Sequence, residues 1–154
     1  MRCHMNLPKE ESNSMVNNRH DIQFQLQYFT METIVPVISI RKKEIVQQYL
    51  TMLDKHILEL KEGKANEALE IKHFAEMMHV HPVHLSNTIK EVTGQSTCSF
   101  YENRLLEVSK ELLLTTPMSI SQIARQLTYD PSNFTKFFKQ YAGITPKQFR
   151  NQHQ

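Results

Sequence analysis

The chain has no tryptophan, only three glycines and only two cysteines in 154 residues. Three glycines are too few for the glycine-rich loops that cradle phosphates at nucleotide sites. Cys3 and Cys98 have no ligand-like spacing, which sets out neither a cysteine-built metal site nor a disulfide framework, and a reducing cytoplasm is the simplest home. No apolar run approaches the roughly 20 residues needed to cross a bilayer. The first residues, with Pro8, Lys9, Glu10 and Glu11, lack the apolar stretch of a secretory signal. Paired acids, a nucleophile with its base and a phosphate loop are all missing, so no enzyme class is indicated and no cofactor is implied. Net charge is also small, at +2, which by itself says little about nucleic acid.

What is present is a repeat. From Ile71 to Arg150 the sequence says nearly the same thing twice, at a constant offset of 49 residues. Phe74-Ala75 returns as Ile123-Ala124, Pro82 as Pro131, Leu85 and Ile89 as Phe134 and Phe138, Lys90 as Lys139, and Gly94 as Gly143. Each copy reads as helix, tight turn, helix and glycine stop, where a helix end commonly needs a left-handed residue. A tandem helix-turn-helix follows, a shape suited to placing two helices on DNA.

Around the repeat, residues 1 to about 20 are polar and without period, which reads as a tail. Ile22, Phe24, Leu26 and Tyr28 alternate with Gln, which predicts a strand, and Ile34 to Ile40 predicts a second, confined to an edge by Pro36. From Lys42 the pattern turns helical, with Ile45, Tyr49, Leu53, Ile57 and Leu60 on one face. Ala68 to Met78 reads as the first helix of copy one, with Leu69, Phe74, Met77 and Met78 inward, and Ser99 to Leu114 as a linker helix burying Phe100, Leu105, Val108, Leu112 and Leu113. Ser119 caps the next helix, Asp130-Pro131 opens the one after, and Thr145-Pro146 begins a short last one. The expected fold is therefore all-α: two helix-turn-helix units (41–97 and 115–150) joined by a linker helix (98–114), behind an N-terminal arm (1–40) holding one or two strands.

The second helix of each copy, about 82–93 and 131–141, is the candidate reading helix. Once Leu85, Ile89 and Val92 are assigned inward, Val83, Ser86, Asn87 and Lys90 remain outside. With Phe134, Phe137 and Phe138 inward, Ser132, Asn133, Lys136 and Lys139 remain outside. Asn can pair bidentately with adenine, Lys reaches guanine or phosphate, and Val can touch a thymine methyl. A merely solvated polar face is the plainer alternative, and the repeat argues against it. Charge leans the same way. From Met118 onward Arg125, Lys136, Lys139, Lys147 and Arg150 stand against Asp130 alone, whereas residues 54–117 carry ten acids and seven bases. His79, His81 and His84, with His73 nearby, invite a metal reading, but a cap position and a helix position direct such rings apart, so no metal site is assigned.

Ile120-Ser-Gln-Ile123-Ala124, Asp130-Pro-Ser-Asn-Phe134, Phe137-Phe138-Lys139, Gly143-Ile-Thr145-Pro146 and Phe149-Arg150 resemble the DNA-binding domain of the AraC/XylS transcription regulators. Phe74-Ala75 through Gly94 and Ser96 fit the first helix-turn-helix of that family, and Arg104-Leu105 with Leu112-Leu113 fit its linker helix. The resemblance covers roughly residues 44 to 150. It implies a bacterial, cytoplasmic regulator with seven helices, two of which enter successive major grooves of double-stranded DNA. Carried over by position, base reading falls on Val83, Ser86, Asn87, Ser132, Asn133 and Lys136. Phosphate contacts are expected from Lys90, Lys139, Lys147 and Arg150. The chain departs from the pattern at Thr128-Tyr129, where Gly-Phe is common, and at His79, where a glycine or small polar residue is expected.

Tandem copies need no two-fold axis, so a monomer suffices and an asymmetric site is expected. RNA polymerase is the implied further partner of an activator, and no membrane is. Three readings stand beside one another: a stand-alone regulator, the DNA-binding part of a larger ligand-sensing regulator, and a helical module that binds protein.

Overall fold

The computed structural model describes residues 39–153, and these contain seven helices and no strand. They are α1 (Ile40–Lys61), α2 (Ile71–Met77), α3 (Pro82–Thr93), α4 (Thr97–Thr115), α5 (Ile120–Gln126), α6 (Pro131–Ala142) and α7 (Pro146–His153). The strand expected from Ile22 to Tyr28 lies outside the described residues, as does most of the second. The end of that second stretch is corrected: Ser39 is the N-cap of α1, its hydroxyl accepting from the Lys42 N–H at 3.3 Å, and Ile40 is already helical.

Capping sets the boundaries. The first helix of copy one was expected from Ala68, but α2 begins three residues later because Glu70 takes the N-cap and His73 completes the capping box. The linker helix is longer than its periodicity indicated, starting at Thr97 behind the Ser96 cap. At 1.5 Å per residue α4 spans about 28 Å. Its buried stripe also differs. Tyr101, Leu106 and Ser109 join Leu105, Leu112 and Leu113 inside, while Phe100 and Val108 are half-buried. Ser109 is fully enclosed and donates to the Leu105 carbonyl at 2.7 Å, so a small side chain lets neighbouring helices close on this face without an unpaired hydroxyl.

α1 packs on α3 and α4, and α4 reaches α5, α6 and α7 on the far side. The linker thus contributes to one core shared by both copies. Three polar ties fix it. Tyr49 Oη donates to the Thr97 carbonyl at 3.2 Å, Arg104 Nε meets Asp54 Oδ1 at 2.7 Å, and Tyr141 Oη donates to Glu102 Oε2 at 2.5 Å. His56 is buried beside Phe74 and Tyr101, and its Nε2 accepts from the Leu69 N–H at 3.1 Å. Burial holds this imidazole below its usual titration range despite the nearby Glu59 and Glu67, which favours the neutral ring that an acceptor requires.

The repeat is preserved to the residue. α2 and α5 both have seven residues and α3 and α6 both have twelve, and each pair begins and ends 49 positions apart. The buried set of copy one is Phe74, Ala75, Met78, Leu85, Thr88 and Ile89, and that of copy two is Ile123, Ala124, Leu127, Phe134, Phe137 and Phe138, again 49 apart. Met77 is the exception to the expected core: it is 47% exposed, because α2 ends there and the chain turns Met78 inward instead.

The two turns also coincide. His79 (φ 52°) and Thr128 (φ 62°) are left-handed, and the following Val80 and Tyr129 N–H groups return to the Ala75 and Ala124 carbonyls at 3.0 and 2.8 Å. The Thr128-Tyr129 departure therefore keeps the turn shape at the cost of strain, since a β-branched residue is poorly suited to positive φ. The Thr128 hydroxyl is moreover enclosed without a hydrogen-bond partner among the described residues. Thr128→Gly is expected to stabilise the fold by about 1 kcal/mol, the relief of strain outweighing the added freedom of the unfolded chain. A higher urea midpoint at unchanged slope would show it, and an equal or lower midpoint would contradict it.

Candidate nucleic-acid interface

Each second helix stands on a built N-terminus. Pro131 opens α6 behind Asp130, whose Oδ1 accepts from the Ser132 and Asn133 N–H groups at 2.8 and 3.3 Å. Those backbone bonds, with Lys136 nearby, hold the Asp130 carboxyl below the ordinary range, so the cap stays ionised. In copy one Pro82 opens α3 behind His81, whose Nδ1 accepts from the Val83 N–H at 3.3 Å. Gly94 and Gly143 close the two helices at φ 73° and 78°.

With their inner faces committed to the core, the helices leave matching outer faces. On α6, Ser132, Asn133, Lys136 and Lys139 are all exposed. On α3 the residues 49 positions earlier are Val83, His84, Asn87 and Lys90, and these too are exposed, Val83 at 59%. The structure thus brings Val83, Asn87, Lys90, Ser132, Asn133, Lys136 and Lys139 onto solvent-facing helix surfaces as the sequence indicated. Ser86 is only half-buried, and its counterpart Thr135 returns its hydroxyl to the Pro131 carbonyl at 3.0 Å, so this position sits at the flank. His84, outside the expected base-reading set, stands exposed on the same face, 49 positions before Asn133.

Charge is arranged to favour these faces. Among the described residues, Lys90, Arg125, Lys136, Lys139 and Lys147 form no ion pair, whereas Lys42, Lys61 and Arg104 are engaged with Glu91, Glu111 and Asp54. The Lys42–Glu91 pair, at 2.5 Å, occupies the one carboxylate that follows Lys90 on α3. The corresponding position on α6 is the neutral Gln140. Lys147 is exposed on α7.

Arg150 is anchored on backbone carbonyls. Its Nε donates to the Leu113 carbonyl at 2.9 Å and a terminal nitrogen donates to the Met118 carbonyl at 2.8 Å. The guanidinium thereby fastens α7 to the end of α4, satisfying carbonyls at and beyond its last turn. Phe149, on the same short helix, meets Phe138 edge to face at 5.4 Å between centroids.

The histidines do not converge. His73 Nδ1 accepts from the Glu70 N–H at 2.9 Å as part of a cap, and His81 Nδ1 is used in another. Among the described residues no group of three or more His, Cys, Asp or Glu is placed to hold a metal. No helix among them is long and apolar enough to cross a membrane.

Known proteins share this arrangement. A family described as "Helix-turn-helix domain" matches residues 74–152. An uncharacterized HTH-type transcriptional regulator of Bacillus subtilis, YobQ, is 31% identical over 86 residues, which is 55% of this chain and 36% of that protein. The chain therefore spans about a third of that relative's length. Among solved structures, the C-terminal domain of AraT, a response regulator from Geobacillus stearothermophilus, is 31% identical with a TM-score of 0.62 over 70% of this chain and 84% of that one. The C-terminal domain of the two-component response regulator yesN from Fusobacterium nucleatum is 26% identical with a TM-score of 0.59 over 71% and 98%. Paired helix-turn-helix copies, one linking helix and these relatives agree: the chain belongs to the helix-turn-helix family of AraC-type DNA-binding domains.

Proposed function

We propose that this chain is a sequence-specific transcription regulator that lays α3 and α6 into successive major grooves of double-stranded DNA. The observation that carries the reading is the coincidence, at one offset of 49, of every bound and buried position of the two helix-turn-helix copies. Two equal readers joined by one helix match a duplex that presents its major groove again every turn, about 34 Å. Val83, His84 and Asn87 read one end of the site, and Ser132, Asn133 and Lys136 read the other, with Ser86 at the flank. Lys90, Lys139 and Lys147 hold phosphates and fix the body's position. Arg150, engaged with two carbonyls, is left out of that set.

Because the copies follow one another along the chain, a monomer suffices and the site is asymmetric. The protein works in the cytoplasm of a bacterial cell, and an activating role would add RNA polymerase as a partner. A second reading is favoured by one observation: the chain matches C-terminal domains of response regulators and about a third of YobQ. On that reading it is the DNA-binding part of a larger sensing regulator.

The test is selection of bound sites from random duplex DNA, followed by affinity against salt. One enriched asymmetric motif of about two helical turns is expected, with affinity falling steeply as salt rises. Binding without enrichment, or a strictly palindromic motif, would count against the proposal. Absence of binding near physiological salt would favour a helical module that binds protein.

A further inference from the structure

We propose that Gln126, at the C-terminus of α5, is a positioning residue that fixes the spacing and phase of the two reading helices. The inference rests on the DNA reading above and adds a residue to it that need touch no base.

The argument begins with the end of α1. The last four carbonyls of a helix have no partner within it. Here Leu58 receives the Glu62 N–H at 2.9 Å, Glu59 the Lys64 N–H at 2.8 Å and Leu60 the Gly63 N–H at 3.0 Å. That leaves Lys61, and its carbonyl accepts from Gln126 Nε2. Gly63, left-handed at φ 67°, turns the chain away at this point, and a Cβ placed there would lie 3.9 Å from Gln126 Cδ. The terminal amide of α5 therefore completes the cap of α1, across 65 residues of chain.

This bond ties the end of α1 directly to the end of α5, beside the route through α4. α1 backs the first copy through its packing on α3, and α5 is the first helix of the second copy. Lys61 strengthens the same junction by pairing its ammonium with Glu111 of α4 at 2.5 Å. Lys61 thus meets α5 through its carbonyl and α4 through its side chain.

The repeat shows that Gln126 is not required by the helix-turn-helix itself. Its counterpart 49 residues earlier is Met77, which points outward and is 47% exposed. A position that is solvent-facing in copy one is half-buried and hydrogen-bonded in copy two, where a helix end lies beside it. The difference between the copies falls where one copy meets the other.

Binding by two linked readers depends on how well the linkage holds the second at its groove once the first is seated. A looser junction costs affinity at the correct spacing and tolerates incorrect spacing better. The experiment uses the full chain and duplexes carrying the site selected from random DNA, at its natural spacing, with one or two base pairs inserted between its halves, and with either half scrambled. Gln126→Met, which installs the counterpart's residue, and Gln126→Ala are compared with the unaltered chain. Both variants are expected to lose about tenfold in affinity at the natural spacing and to suffer a smaller penalty from insertion, while affinity for each single half is unchanged. Unchanged half-site affinity also certifies that the variants are folded. An unaltered spacing profile at unaltered affinity overturns the brace alone. Equal losses on single halves would assign Gln126 to local stability and overturn the brace as well. If the unaltered chain prefers no sequence, the DNA reading falls, and this inference falls with it.

Discussion

Phe134→Ala is expected to destabilise the protein by about 3–5 kcal/mol, the usual cost of removing a fully enclosed aromatic ring. Phe134 is 0% exposed and sits in a cluster of rings, with Phe138 at 6.1 Å, Tyr129 at 6.3 Å and Phe137 at 6.5 Å between centroids. The cavity cannot fill easily, because Phe138 is itself held by Phe149 of α7 and Phe137 by Tyr141. Domains of this size carry about 5–15 kcal/mol in all, so the loss is a large share of the total. The second copy is backed by α4 and by the short α7, and it depends on this cluster. Since α4 contributes buried residues to the common core, one cooperative transition shifted to lower urea is expected, not melting of the second copy alone. A loss below about 1 kcal/mol would contradict the enclosed position of the ring. Leu85→Ala at the matching position is expected to cost about 2–5 kcal/mol, by the same mechanism.

Most of this architecture is legible in the sequence because local signals and the repeat agree. Pro82 and Pro131, Gly94 and Gly143, and the apolar positions of α3 and α6 each name a feature that the structure contains. The failures fall where periodicity competes with a neighbouring contact. Met77 is apolar and falls at an inward position by periodicity, but the end of α2 turns the next residue into the core instead. Tyr101 and Leu106 face inward because α4 is covered on several sides, and a single stripe cannot describe a helix buried that way. The clamp of Arg150 on the Leu113 and Met118 carbonyls has no local sequence signal and shows only in the distances. The Glu70–His73 capping box carries no familiar pattern, since histidine replaces the usual acid or amide at its third position. The Gln126 contact was not readable, because its partner lies 65 residues away.

Replacing Lys136 and replacing Lys139 are expected to give two different signatures on the selected DNA site. Both lysines are exposed on α6 and free of ion pairs among the described residues, so neither substitution disturbs the fold. They are one turn of helix apart, at positions 136 and 139, but their neighbours differ. Lys136 lies on the face that carries Ser132 and Asn133, the first turn of the reading helix, where side chains reach base edges. Lys139 lies in the last turn, which the proposed docking turns toward the backbone of the duplex. Lys136→Ala is therefore expected to cost about 1–3 kcal/mol on the preferred site and to relax preference at one base step, with less effect on unrelated DNA. Asn133→Ala should relax an adjacent step, and Asn87→Ala a step about one helical turn away. Lys139→Ala is expected to weaken all sequences alike and to reduce the slope of log affinity against log salt by about one. Repeating site selection with each variant separates the two, because only a base-reading residue changes the enriched sequence. A uniform loss from Lys136→Ala would move that residue to the phosphate set, and a changed motif from Lys139→Ala would place the reading surface one turn further along α6. If none of these substitutions affects binding, α6 is not the element that meets DNA, and the pairing of both copies on successive grooves fails with it.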